Sequence, residues 1–78
     1  MEQKIKQDTG IPIGKNIRQI RLAMGLKQTE VVRRVQLLDV PMTRETLVKI
    51  ERGVQHITAS QFKALKEVLE TTYEELLK

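Results

Sequence analysis

The side chains able to do chemistry in this 78-residue chain are few, and most of them are cations. There is no cysteine, and His56 is the only histidine. Thiolate nucleophiles, disulfides and zinc-type ligand sets are therefore excluded, and no metal or other cofactor is expected. The hydroxyls near His56 are limited to Thr58 and Ser60, and no glycine-rich phosphate loop is present. Glu74 and Glu75 adjoin, so on a helix they point in different directions, a poor arrangement for joint acid–base work. An enzyme is not expected. What remains is basic: Lys and Arg number 14 against 10 Asp and Glu, a net charge of +4. The excess is uneven. Nine basic residues lie between Lys15 and Arg52 against four acids, whereas from Lys63 onward there are three basic residues against four acids. A polyanion, if one binds, belongs against the first two-thirds of the chain.

Those cations need a scaffold, and the apolar spacing supplies it. Ile13, Ile17, Ile20 and Met24 recur every three or four residues, one face of a helix that Gly25 stops. Gln28 to Leu38 reads as a second helix with Val31, Val32, Val35 and Leu38 on one side, ended by Asp39-Val40-Pro41. Thr43 is an N-cap for a third helix, with Leu47 and Ile50 inward and Gly53 at its close. Thr58-Ala59-Ser60-Gln61 has capping-box spacing ahead of Phe62, Leu65, Val68 and Leu69, and Thr72 opens a short fifth helix toward Leu76 and Leu77. Phe62, Tyr73, Met24 and Met42 are expected in the core. The fold class is all-α: a compact bundle of about five short helices, with no strand pair. Residues 1–12 read as a flexible N-terminal arm and 13–78 as the folded domain. No apolar run reaches membrane-spanning length, and the N-terminus lacks an apolar signal core, so a soluble, cytoplasmic protein with no membrane partner is expected.

Four pieces in order carry a likeness: Arg18-Gln19-Ile20-Arg21, Met24-Gly25-Leu26-Lys27-Gln28, Ile50-Glu51-Arg52-Gly53 and Thr72-Tyr73-Glu74-Glu75-Leu76-Leu77. With the helix pattern between them, the chain resembles the lambda-repressor-like, or Xre, helix-turn-helix family from about Gly14 to Leu77. The resemblance makes helices two and three the helix-turn-helix. Gln28 and Glu51 stand 23 positions apart, wider than the family's usual spacing, which implies an extended turn around Gln36 to Pro41. Three further departures are Lys27 in place of a Ser or Thr cap, Val32 in place of a small residue, and Glu70 where a glycine commonly ends helix four.

The resemblance implies double-stranded DNA as partner, with the third helix in the major groove. Thr43, Arg44, Glu45, Thr46 and Lys49 are then the candidates for base edges. An arginine can donate two parallel bonds to guanine, a glutamate accepts from cytosine, and a lysine reaches guanine or phosphate. Lys27, Gln28 and Arg52 are candidates for the phosphate backbone, the first two at a helix N-terminus whose free N–H groups and dipole favour an anion. Arg21 and Glu51 are implied as a structural ion pair between helices one and three. The function implied is a repressor-like transcriptional regulator, a homodimer on a palindromic site with no small-molecule ligand, and the C-terminal helices around Leu69, Leu76 and Leu77 are the natural dimer surface. The alternative is a protein-interaction module of the same fold, such as an antitoxin or adaptor, which need not bind duplex DNA.

Overall fold

The computed structural model describes residues 4–7 and 10–78. Its elements run β1 (Lys4–Ile5), α1 (Ile13–Ala23), α2 (Gln28–Leu37), α3 (Arg44–Glu51), β2 (Ile57–Thr58), α4 (Ala59–Val68) and α5 (Tyr73–Leu76). Three threonines start helices by one device. The hydroxyls of Thr43, Thr58 and Thr72 accept from the backbone N–H groups of Thr46, Gln61 and Glu75, each at 3.1 Å, and so satisfy donors that the first turn leaves free. Gln61 completes a capping box by accepting from the Thr58 N–H at 3.1 Å. Lys27 has no side-chain acceptor, so α2 keeps only the other half of that device, its N–H donating to Glu30 at 3.0 Å.

Helices α1, α3 and α4 end in the same motif, a left-handed residue whose N–H and the next N–H both return to the last turn. Gly25 (φ 70°) and Gly53 (φ 76°) fill that place after α1 and α3. After α4 it is Glu70 (φ 51°), with Glu70 N–H on Glu67 and Thr71 N–H on Lys66, both at 3.1 Å. A Cβ makes this conformation costly and glycine relieves it. Glu70→Gly is therefore expected to stabilise the protein by about 0.5–1 kcal/mol, read as a rise in thermal midpoint of a few degrees; an unchanged or lower midpoint contradicts the account.

The core is one cluster drawn from every helix: Ile17, Val31, Val35, Leu47, Ile50, Leu65 and Leu76 are each fully buried. α1 packs on α3 and α5, and α2 on α3 and α4. Asn16 ties the C-terminus to α1, its amide donating to the carbonyls of Leu76 (2.9 Å) and Lys78 (3.2 Å). The long connection from α2 to α3 is also fixed. Asp39 turns it with φ 61°, Gln36 donates to the Met42 carbonyl at 2.7 Å, and Gln61 donates to that of Pro41 at 3.3 Å.

The structure departs from the sequence reading in four places. First, a strand pair exists: β1 and β2 are antiparallel, Lys4 opposite Thr58 and Ile5 opposite Ile57, so residues 4–7 of the segment read as an arm lie on the body. Second, Met24 (37 % exposed) and Leu38 (45 %) are not core residues; each caps a helix end, where the apolar stripe has run past its neighbours. Third, Tyr73 is 39 % exposed. It lies 5.2 Å from Phe62 with the Lys66 ammonium 5.3 Å from its ring centre, an edge of the core rather than its interior. Fourth, Leu69 and Leu76, taken as a dimer surface, are sealed inside, leaving only Leu77 of that group exposed. No helix among the described residues is long and apolar enough to cross a membrane.

Candidate nucleic-acid interface

The centre of the site is a buried ion pair. Arg21, on α1, donates from Nε to Glu51 Oε2 at 2.7 Å and from Nη2 to Oε1 at 2.9 Å, a bidentate pairing with the last residue of α3. Its Nη1 donates to the Leu26 carbonyl at 3.0 Å, in the turn that leads to α2. Gln28, the first residue of α2, donates to Glu51 Oε1 at 3.1 Å. Arg21 and Glu51 are only 7 % and 6 % exposed. Among the described residues no buried side-chain polar atom lacks a partner, which is the condition under which buried charges are tolerated. Three helices thus meet on one carboxylate, and the angle of α3 to the others is set there.

From that anchor α3 presents an outer face. Leu47 and Ile50 point inward, while Arg44, Glu45, Lys49 and, just past the helix, Arg52 are exposed. Thr43 and Thr46 are engaged with one another, their hydroxyls 3.0 Å apart at the cap. The sequence-derived base-edge candidates therefore fall into two kinds, Arg44, Glu45 and Lys49 projecting and Thr43 and Thr46 occupied in starting the helix. Among the described residues the ion pairs are Arg21–Glu51 and the exposed Glu75–Lys78. Arg44, Lys49, Arg52, Lys27 and Arg18 accordingly have no ion-pair partner among the described residues.

These cations are not scattered. A concavity of about 500 Å³ opens where the start of α2 meets α1 and α3, lined by Arg18, Arg21, Lys27, Gln28, Thr29 and Arg44. No acid lines it. Since Arg21 is neutralised by Glu51, the free charge comes from Arg18, Lys27 and Arg44, with the positive end of the α2 dipole beside them. Such a recess attracts an anion the size of a phosphate more strongly than the same charges spread flat. Arg18 and Thr29 were missed by the sequence reading. The signal for Arg18 was there: it precedes Arg21 by three residues and so shares its helix face. Gln28, a backbone candidate, has one amide hydrogen committed to Glu51. Among the described residues no three His, Asp or Glu side chains gather as a metal site.

Compared with known families, residues 17–76 match the profile described as helix-turn-helix. Comparisons with curated proteins and with solved structures returned no match.

Proposed function

The chain belongs to the lambda-repressor-like helix-turn-helix family, whose members are typically DNA-binding transcriptional regulators, and from that premise we propose that it binds double-stranded DNA sequence-specifically as a repressor-like regulator. The observation that carries this reading is the unpaired cationic face: Arg44 and Lys49 on the outer side of α3, flanked by the acid-free recess of Arg18 and Lys27. In this reading α3 enters the major groove, N-terminal end first. Arg44 donates to a guanine edge, Glu45 accepts from a cytosine and Lys49 reaches a guanine or phosphate. Thr43 and Thr46 meet the groove with their methyl groups, since their hydroxyls serve the cap. Lys27, Gln28, Arg18 and Arg52 take backbone phosphates and fix register without reading sequence.

A palindromic operator bound by a homodimer, with half-sites about one helical turn (roughly 34–36 Å) apart, belongs to the same reading. So does a cytoplasmic location beside the DNA, with residues 13–78 as the DNA-binding unit.

The test is enrichment of bound duplexes from a random pool by the wild-type protein and by Arg44→Ala. The wild type is expected to select a defined site. Arg44→Ala is expected to lose discrimination at one base pair by roughly 1–3 kcal/mol, about 5- to 150-fold, while keeping weak general affinity. Identical preferences for both proteins would remove Arg44 from the readout, and a folded wild type that selects nothing would turn attention to a protein partner.

A further inference from the structure

The end of α2 and the connection after it form an apolar surface that the cationic face does not use. Leu37 is 74 % exposed and Leu38 45 %. Leu38 and the half-buried Val40 line a groove of about 260 Å³, bounded on the α4 side by Ser60, Lys63, Ala64 and Glu67. A second hollow, between Asp39, Pro41 and Gln61, adjoins it at the shared Val40 and Ser60. None of these residues lines the recess of Arg18, Lys27 and Arg44. Exposed leucines at the rim of a groove mark a surface that gains by being covered.

The charges beside the groove point to what covers it. Lys63 and Glu67 stand four residues apart on α4, hence on one face, and both are exposed. They do not pair with each other: the ion pairs among the described residues are Arg21–Glu51 and Glu75–Lys78. One cation and one anion so placed are complementary to the same two groups turned through a half rotation. A two-fold axis crossing α4 between them sets Lys63 against the partner's Glu67 and Glu67 against the partner's Lys63. Ser60 and Ala64 are small, so two α4 helices can approach there, with the Leu38 rim of each copy over the groove of the other.

We infer that the outer side of α4 and the Leu38–Val40 groove form an isologous interface between two copies of this chain. This gives the homodimer proposed above its contact surface, and so rests on that reading. It replaces the surface expected from sequence, where Leu69 and Leu76 are sealed in the core. The surplus residues of the α2–α3 connection thereby gain a task, as one wall of the interface. Leu38 and Val40 supply its apolar centre, while the two Lys63–Glu67 pairs fix register and disfavour other partners. The face shares no residue with the cationic recess, so joined copies keep both groove-reading helices for DNA.

The experiment is sedimentation equilibrium of the 78-residue chain without DNA, over a concentration series reaching about 1 mM. The wild type is expected to show a reversible monomer–dimer equilibrium. Lys63→Glu and Glu67→Lys each set like charges opposite one another twice, and each is expected to weaken self-association at least about tenfold. Mixed in equal amounts, the two variants are expected to associate with each other as the wild type does with itself. One then carries acids at both positions and the other bases, an exchange that a purely structural effect of either substitution would not produce. Leu38→Ser, which alters no charge, is also expected to weaken association about tenfold or more. Circular dichroism checks that these surface variants keep the fold. A wild type that stays monomeric throughout overturns the inference and leaves the groove to a different protein. So do single variants that dimerise like the wild type, or a mixture in which no heterodimer forms. The DNA-binding reading fails separately, in a duplex titration, if the folded wild type binds no DNA whatever its state of association.

Discussion

A Gly14→Ala variant is expected to lose about 3 kcal/mol or more of folding stability. The sign is the opposite of the usual one, because replacing glycine by alanine within a helix ordinarily gains about 1 kcal/mol. Gly14 lies in the first turn of α1, where the backbone of α1 crosses the end of α3. A Cβ built there runs into the carbonyl oxygen of Ile50, with the Ile50 carbonyl carbon and Gln7 Oε1 both at 3.0 Å. The atoms in the way are backbone, and that carbonyl is also the acceptor for Gln7, so no side-chain rotation makes room. Relief requires moving α1 off α3, which opens the core at Ile13, Ile17 and Ile50. A chain of this length has total stability of only about 4–12 kcal/mol, and the thermal midpoint falls by about 4–8 °C per kcal/mol. Urea and thermal denaturation followed by circular dichroism should show a loss of at least about 12 °C. A variant within 1 kcal/mol of wild type would mean that the two helices do not approach this closely.

Comparable losses are expected at the ion pair. Glu51→Ala leaves the Arg21 guanidinium buried with only the Leu26 carbonyl as acceptor, and it strips Gln28 of its partner as well. Arg21→Ala leaves the carboxylate with Gln28 alone. Each single change is expected to cost about 3–5 kcal/mol. The cost lies in stranding a charge, so removing both is different: Arg21→Met with Glu51→Leu fills the space with apolar groups and should recover much of the loss. The coupling in that double-mutant cycle separates an ion pair from two independent packing sites. Losses that simply add would contradict the pairing. The variant that regains stability is still expected to bind DNA less well than wild type, because Gln28 and the end of α3 are no longer fixed against one another.

What the sequence made legible is local chemistry. Thr43, Thr58 and Thr72 announce helix starts because a cap needs only a hydroxyl and an N–H three residues on. Gly25 and Gly53 announce ends because a left-handed residue does so cheaply. The long α2–α3 connection was visible as surplus spacing around Pro41, but its shape was not, since it depends on amides from Gln36 and Gln61 reaching two carbonyls. Long-range pairing was invisible in the same way. The strands have two residues each, too short for any alternation, and Gln7 joins atoms 43 and 48 residues away. The Arg21–Glu51 pairing rested on the family resemblance, because no spacing rule links residues 30 apart. Periodicity also overreached at helix ends, assigning Met24 and Leu38 to a core that the helices had already left. On the candidate interface, charge could be counted from sequence, but the recess that gathers Arg18, Lys27 and Arg44 exists only once three helices are placed.

The central claim is that the cationic face of α1, α2 and α3 binds duplex DNA, and its most direct test is the salt dependence of wild-type binding to a fluorescent duplex. With Arg18, Lys27 and Arg52 on phosphates, the slope of log affinity against log salt is expected to be about −3 per protein chain. A steep linear fall of that size is the signature of binding carried by phosphate contacts, as the account requires. No measurable association by the folded protein even at low salt would contradict the claim outright.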